Sequence, residues 1–140
     1  MTITICASLS HYQEVLDIKN KLSKKGIKVL YPWGIEEIGK GNLTFDKMPA
    51  FKLKNQSKAI IIHYNKIKKS DAILVVNEEK NGLKNYIGGN TLIEMGFAYV
   101  LKKKIYLLNP VPEVSYKEEI LAMKPIVLNG TLKKILAIIF

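Results

Sequence analysis

Two glycines that open a helix, and a carboxylate a few residues inside it, are the positions of this chain best suited to chemistry. The segment runs from Asn77 through Gly88-Gly89-Asn90 into Thr91-Leu92-Ile93-Glu94-Met95-Gly96. Glycines before a helix start let backbone N–H groups approach an anion or a ribose closely, aided by the positive end of the helix dipole. Glu94 would stand beside whatever binds there. A structural reading is open as well, because Thr91-x-x-Glu94 fits a capping box in which the glutamate satisfies an orphan backbone donor. Gly96 favours the functional reading: glycine inside a helix costs about 1 kcal/mol relative to alanine, which predicts a close approach at that face. No Gly-Lys-Ser/Thr follows the glycines, and no G-x-G-x-x-G follows the first strand, so a Walker-type ATPase and an NAD enzyme are disfavoured.

His63 lies eight residues before Asp71 and shares a helix face with Ile60 and Ile67, a face that points at the core. It reads as a satisfied core histidine or as a proton donor to a leaving group. Cys6 reads as a small buried hydrophobe near the end of the first strand. The single cysteine excludes an internal disulfide, and with only His11 and His63 beside it no Cys/His cluster for zinc is expected, nor any cofactor. Asp71 falls at the far end of its strand, nearly 20 Å from the ligand edge at ~3.3 Å per residue, and reads as structural. Tyr31 and Trp33 border Pro32, where an aromatic platform and simple packing are equal alternatives.

Short β-branched runs that alternate with helical patterns must position these groups. Thr2 to Ala7, Ile27 to Tyr31, Ala72 to Val76, Lys104 to Leu108 and Ile126 to Leu128 predict five strands of a parallel sheet. Helices are expected over His11 to Lys25, Gln56 to Lys69, Thr91 to Lys102 and Tyr116 to Met123, with a last one after Gly130. Pro32 to Lys54 shows no sustained period and contains two prolines and three glycines, which predicts a long irregular excursion. The expected class is α/β, a flavodoxin-like or Rossmann-like three-layer sandwich. Ligands of such open sheets bind beyond the carboxyl ends of the strands, near the point where strand order reverses. That rule nominates the loop Ala7 to His11 with Ser8 and Leu9, the segment from Pro32, the loop Asn77 to Asn90, and Asn109 to Pro112.

The 140 residues suit one domain, 1–140. At 48% hydrophobic and 24% charged residues the composition is that of a folded globular chain. No apolar run approaches the ~18 residues that span a bilayer, and Met1 to Ser10 lacks a signal-peptide pattern, so no membrane partner and a cytoplasmic location are expected. The formal charge is +10, and all 22 cations are lysine. Lysine lacks the planar fork that reads guanine or grips phosphate bidentately, which argues against sequence-specific nucleic-acid binding, while the positive field favours anionic ligands.

Lys69-Ser70-Asp71-Ala72-Ile73-Leu74-Val75-Val76, the Gly88-Gly89-Asn90 loop, Glu94-Met95-Gly96-Phe97-Ala98-Tyr99 and Lys103 to Leu108 together resemble the nucleoside 2-deoxyribosyltransferase-like superfamily, which includes the 2'-deoxynucleoside 5'-monophosphate N-glycosidases. The opening Ile5-Cys6-Ala7-Ser8-Leu9-Ser10 and Gly26 to Pro32 resemble its first β-α-β unit. The resemblance implies a hydrolase or transferase for the N-glycosidic bond of a nucleoside or nucleoside monophosphate. Glu94 would be the nucleophile that forms a glycosyl-enzyme. It implies that Ser8, with the backbone of Ala7 and Leu9, contacts sugar or phosphate, and that Gly88 to Asn90 occupy the segment that carries a carboxylate in the transferases and a serine in the nucleotide hydrolases. Here Gly88 and Gly89 offer no side chain, which leaves Asn90, Tyr86 or backbone amides to substitute. His63 stands about where the family tends to carry an aspartate that assists the departing base. Homo-oligomers are implied too, and the apolar run Ile135 to Phe140 would join either the core or a subunit contact. The alternatives are a non-catalytic nucleotide-binding or sensing module of the same fold, and a nucleic-acid-associated protein drawn by charge.

Overall fold

A computed structural model describes residues 1–138; of the apolar terminal run, Ile139 and Phe140 lie outside the described residues. The chain alternates β1 (Thr2–Cys6), α1 (Tyr12–Lys24), β2 (Lys28–Leu30), α2 (Trp33–Gly39), α3 (Met48–Lys68), β3 (Ala72–Val75), α4 (Gly89–Val100), β4 (Lys104–Leu107), α5 (Lys117–Ala122), β5 (Ile126–Val127) and α6 (Lys133–Ala137). All five strands are parallel in the order β2-β1-β3-β4-β5, the flavodoxin-like order whose reversal lies between β1 and β3. Cys6 pairs with Val75, so the two strands end level and their loops open at the same height.

Strand alternation sends side chains to both faces, and both are covered. Ile3, Ile5, Leu74 and Tyr106 pack with Val15 and Leu22 of α1, Ile35 of α2 and Ile135 of α6. Cys6, Ile73, Val75 and Leu107 pack on the other side with Ile67 of α3, Met95 and Ala98 of α4, and Ile120 of α5. The terminal run therefore contributes to the core: Ile135 is fully buried, Leu136 packs against it, and Ile138 is exposed. No helix among the described residues is long and apolar enough to cross a membrane. Asp71 accepts from the backbone N of Thr2 at 2.8 Å, a tie at the edge of the sheet opposite the ligand loops.

The segment Pro32 to Lys54 is where expectation and structure part. It is not irregular: α2 occupies its first third, and α3 starts at Met48, eight residues before the periodicity suggested. The residues taken as breakers are compatible with helix. Pro32 stands before the first turn of α2, and Pro49 lies in the first turn of α3, where its missing N–H would have no partner in any case. Gly34 sits within α2 because an added Cβ would lie 3.0 Å from the Leu9 side chain. Gly96 behaves differently. A Cβ there meets no atom within 4 Å, so the close approach inferred from its helix cost does not occur within this chain.

Candidate active site

The loops after β1 and β3 and the starts of α2, α3 and α4 surround a cleft with a cavity volume of about 120 Å³. Ala7, Ser8 and Leu9 line it from β1, Pro32 and Trp33 from α2, and Gly88, Gly89 and Asn90 from the start of α4. His63 of α3 and Glu94 of α4 also line it. Residues far apart in sequence thus converge where the topology rule placed the ligand.

Glu94 is not a capping residue. α4 begins at Gly89, with Gly88 before it and no side-chain cap, so Glu94 lies in the second turn and turns inward. One of its carboxyl oxygens is 3.5 Å from His63 Nε2, and the same nitrogen is 3.4 Å from Cys6 Sγ. The glutamate side chain keeps 14% exposure while that of His63 keeps 4%, so the carboxyl is the member of this group that a ligand can reach. Lys66, one turn beyond His63, is held by the carbonyl of Tyr31 and by Glu36 and acts on the group only through space.

Burial governs the protonation of all three. It pushes Glu94 up to about 8, against a smaller opposing pull from Lys66. His63 is pushed down to about 3, first by burial and then by Lys66, with a backbone hydrogen bond to Ile5 opposing. The Cys6 thiol is raised well above its usual range by burial and by Glu94. Near pH 7 the resting group is a carboxylic acid, a neutral imidazole and a thiol. Held neutral, His63 turns Nε2 toward Glu94 and Cys6.

Asn77 and Asn109 do not reach the cleft. Asn77 is fully buried and donates to the carbonyls of Asn109 and Pro110 at 3.0 and 3.1 Å, while its own side-chain oxygen accepts from the Asn109 N–H at 2.9 Å. Asn109 Nδ2 returns to the Asn77 carbonyl at 3.1 Å. The pair ties the loop after β3 to the loop after β4, because buried backbone groups at strand ends need partners. The strand-end rule located the right edge of the sheet but not which residues there are occupied with structure.

The cleft also holds groups that sequence reasoning passed over. Asn81 and Gly82 both have positive φ, and Lys80 and Leu83 exchange backbone hydrogen bonds of 3.0 Å, a two-residue hairpin of the kind Asn-Gly favours. This turn aims Lys80 at the cleft. Its Nζ donates to Ser8 Oγ at 2.9 Å and lies 5.3 Å from the centre of the Tyr86 ring. Burial, and then repulsion from Lys52, lower the Lys80 pKa. Both lysines line the cleft, and Glu94 is the one carboxylate that does so among the described residues. Tyr86 explains Gly88: a Cβ on Gly88 would fall 2.8 Å from the Tyr86 hydroxyl, so the tyrosine fills the space that a side chain at position 88 would take. Gln56 donates to Asn90 Oδ1 at 2.6 Å, and Trp33 meets Phe51 edge to face at 4.9 Å. Both Trp33 and Phe51 line the cleft, whereas Tyr31 packs on the core. The Asn-Gly turn was the readable signal for Lys80. Lys52, Phe51 and Gln56 were hidden in the segment misread as irregular and in the helix start that followed it.

No family model and no curated protein matches the chain. The solved structure of the Clostridium botulinum CMP N-glycosidase BcmB is similar to it, with a TM-score of 0.52 and 20% identity over 98% of this chain and 96% of that one. The likeness is one of fold. It spans both chains almost end to end, and so concerns the whole five-stranded α/β architecture.

Proposed function

We propose that this protein cleaves the N-glycosidic bond of a nucleoside monophosphate, with Glu94 as the nucleophile. The observation that carries the reading is the cleft's polarity: a single inward carboxyl at the floor, opposite a rim of Lys80, Lys52 and Ser8 with no acidic neighbour in the lining. The resemblance in sequence and the fold shared with a CMP N-glycosidase structure support it.

In this reading the phosphate lies against Lys80, Lys52 and the Ser8 loop, the base lies near Trp33 and Phe51, and C1' of the sugar faces Glu94. The ionised carboxylate bonds to C1' as the C1'–N bond breaks. The base leaves with the bonding electron pair and takes a proton from water. A second water then attacks C1', releases the sugar phosphate and restores the carboxylate. Glu94 reaches its ionised form by losing its proton to solvent. At pH 7 that costs about one pH unit, whereas burial opposes placing the proton on His63. His63 is therefore a positioning residue that holds the carboxyl from below.

A base-release assay over deoxynucleosides, ribonucleosides and their monophosphates tests the proposal. We expect release from at least one monophosphate. Its kcat/KM should climb about tenfold per pH unit below pH 8 and level off above it, since His63 and Lys66 of α3 and Cys6 of β1 are the titratable and charged groups that face Glu94. Nucleotide binding without release of any base would establish the non-catalytic module instead.

We further propose a homo-oligomer. Leu53 and Ile61 on α3 and Ile93 and Val100 on α4 are exposed, and Tyr64 and Phe97 join the two helices edge to face at 5.2 Å. Apolar residues gathered on paired helices favour burial against a second copy. Sedimentation should give a dimer or larger species at micromolar concentration, with Val100→Glu shifting it toward monomer. Wild-type protein that sediments only as monomer refutes this.

A further inference from the structure

Cys6, His63 and Glu94 come from β1, α3 and α4, and nothing in their spacing along the chain marks them as a set. Yet one donor atom from each lies within 4.8 Å of the others, with Nε2 at 3.4 Å from sulfur and 3.5 Å from oxygen. Tetrahedral zinc with bonds of ~2.0–2.3 Å needs donor atoms about 3.3–3.8 Å apart. Two of the three edges already have that length without metal. The ring is also suitably presented: the same nitrogen, Nε2, faces both of the other donors. The fourth tetrahedral direction is left to the cleft, because Glu94 is the exposed member of the three.

We propose that Cys6, His63 and Glu94 form a three-ligand site for a thiophilic divalent cation, zinc foremost, and that the bound ion occupies the floor of the cleft in competition with nucleotide. Thiolate, imidazole and carboxylate suit zinc and discriminate against magnesium and calcium, which take all-oxygen shells. Binding expels the thiol proton of Cys6 and the carboxyl proton of Glu94, which leave to solvent as the two metal bonds form, so affinity strengthens with pH. A carboxylate bonded to zinc shares its charge with the cation and is a weaker nucleophile, and with the ion on the floor of the cleft the metal-loaded protein is inactive. This last clause rests on the function proposed above; the site itself does not.

The test is titration of the whole chain with zinc and, in parallel, with cobalt(II). Expected are one zinc per chain by calorimetry, a thiolate-to-cobalt charge-transfer band, no comparable response to magnesium, and loss of base release at one equivalent of zinc, restored by a chelator. Cys6→Ala should abolish the band and weaken zinc by more than the ~10–100-fold that an outer-shell change costs. Cys6→Ser, closer in size, must likewise lose the band, which separates ligand loss from misfolding. Absence of 1:1 zinc binding, absence of the cobalt band, or wild-type affinity in Cys6→Ala overturns the site. If the band and stoichiometry appear but no substrate releases base in chelator, the site stands and the proposed function falls.

Discussion

Glu94→Gln is expected to remove base release by roughly 10⁴-fold or more and, at the same time, to make the protein more stable. The two effects share one cause. In the unfolded chain this carboxyl ionises near 4.5, whereas in the fold burial holds its proton until about pH 8. Between those values the unfolded state has shed a proton that the folded state keeps, and stability falls as pH rises. At pH 7 the difference is about 3 kcal/mol, and it grows until pH passes the folded value. Glutamine has nearly the same shape and does not titrate. The variant's melting temperature should therefore exceed that of wild type by a margin that widens from pH 5 to pH 8. A residue with a purely structural role behaves otherwise: its loss lowers stability and leaves turnover in place. Full activity with an unchanged melting temperature would remove Glu94 from the mechanism.

Lys80→Ala is expected to erase most of the preference for a nucleoside monophosphate over the matching nucleoside. Lys80 and Lys52 stand near one another in the cleft wall, and their mutual repulsion helps depress the Lys80 pKa; a dianionic phosphate relieves that repulsion and gains charge-assisted hydrogen bonds. Such bonds are worth about 1.5–3 kcal/mol each, so monophosphate affinity should drop about 10- to 150-fold, while nucleoside affinity changes by less than about threefold. Ser8→Ala removes the hydroxyl that now accepts from Lys80, a neutral partner worth about 1 kcal/mol, and should erode the preference by a few-fold. Added salt should weaken the preference in wild type and hardly affect it in Lys80→Ala. Calorimetry on one matched pair decides the point: equal affinities in wild type, or a preference that both substitutions leave alone, would leave the anion rim without a function.

How far the residues alone led can be judged from particular elements. The five strands of a parallel sheet were legible, because a doubly covered strand must be apolar on both faces and so reads as an unbroken β-branched run. Ala72–Val75 is buried throughout. Glu94 and the Gly88-Gly89 loop were legible as candidates because a helix start beyond a strand end is where such folds bind ligands. The capping alternative was settled only by where the helix begins, and a shift of three residues decided it. The start of α3 was illegible for a related reason: Pro49 signals a break in mid-helix but suits a first turn, and only tertiary packing tells the two apart. Asn77 and Asn109 were named as ligand contacts from their place at strand ends, whereas each satisfies the other's backbone. The cluster of Cys6, His63 and Glu94 ran against the expectation from the scarcity of cysteine and histidine. Counting residues could not reveal it, since its three members meet only when β1, α3 and α4 pack together.

The central claim, covalent catalysis by Glu94, is tested most directly by trapping the glycosyl-enzyme. A nucleoside monophosphate with fluorine at C2' slows both steps by destabilising the oxocarbenium-like transition states, and the second step can then be outrun. After incubation and acid quench, mass spectrometry of the digested protein should show the fluorinated sugar phosphate on the peptide that contains Glu94, and no adduct in Glu94→Gln. Stoichiometric release of base from that analogue with no labelled peptide, or with the label on another residue, would contradict the account.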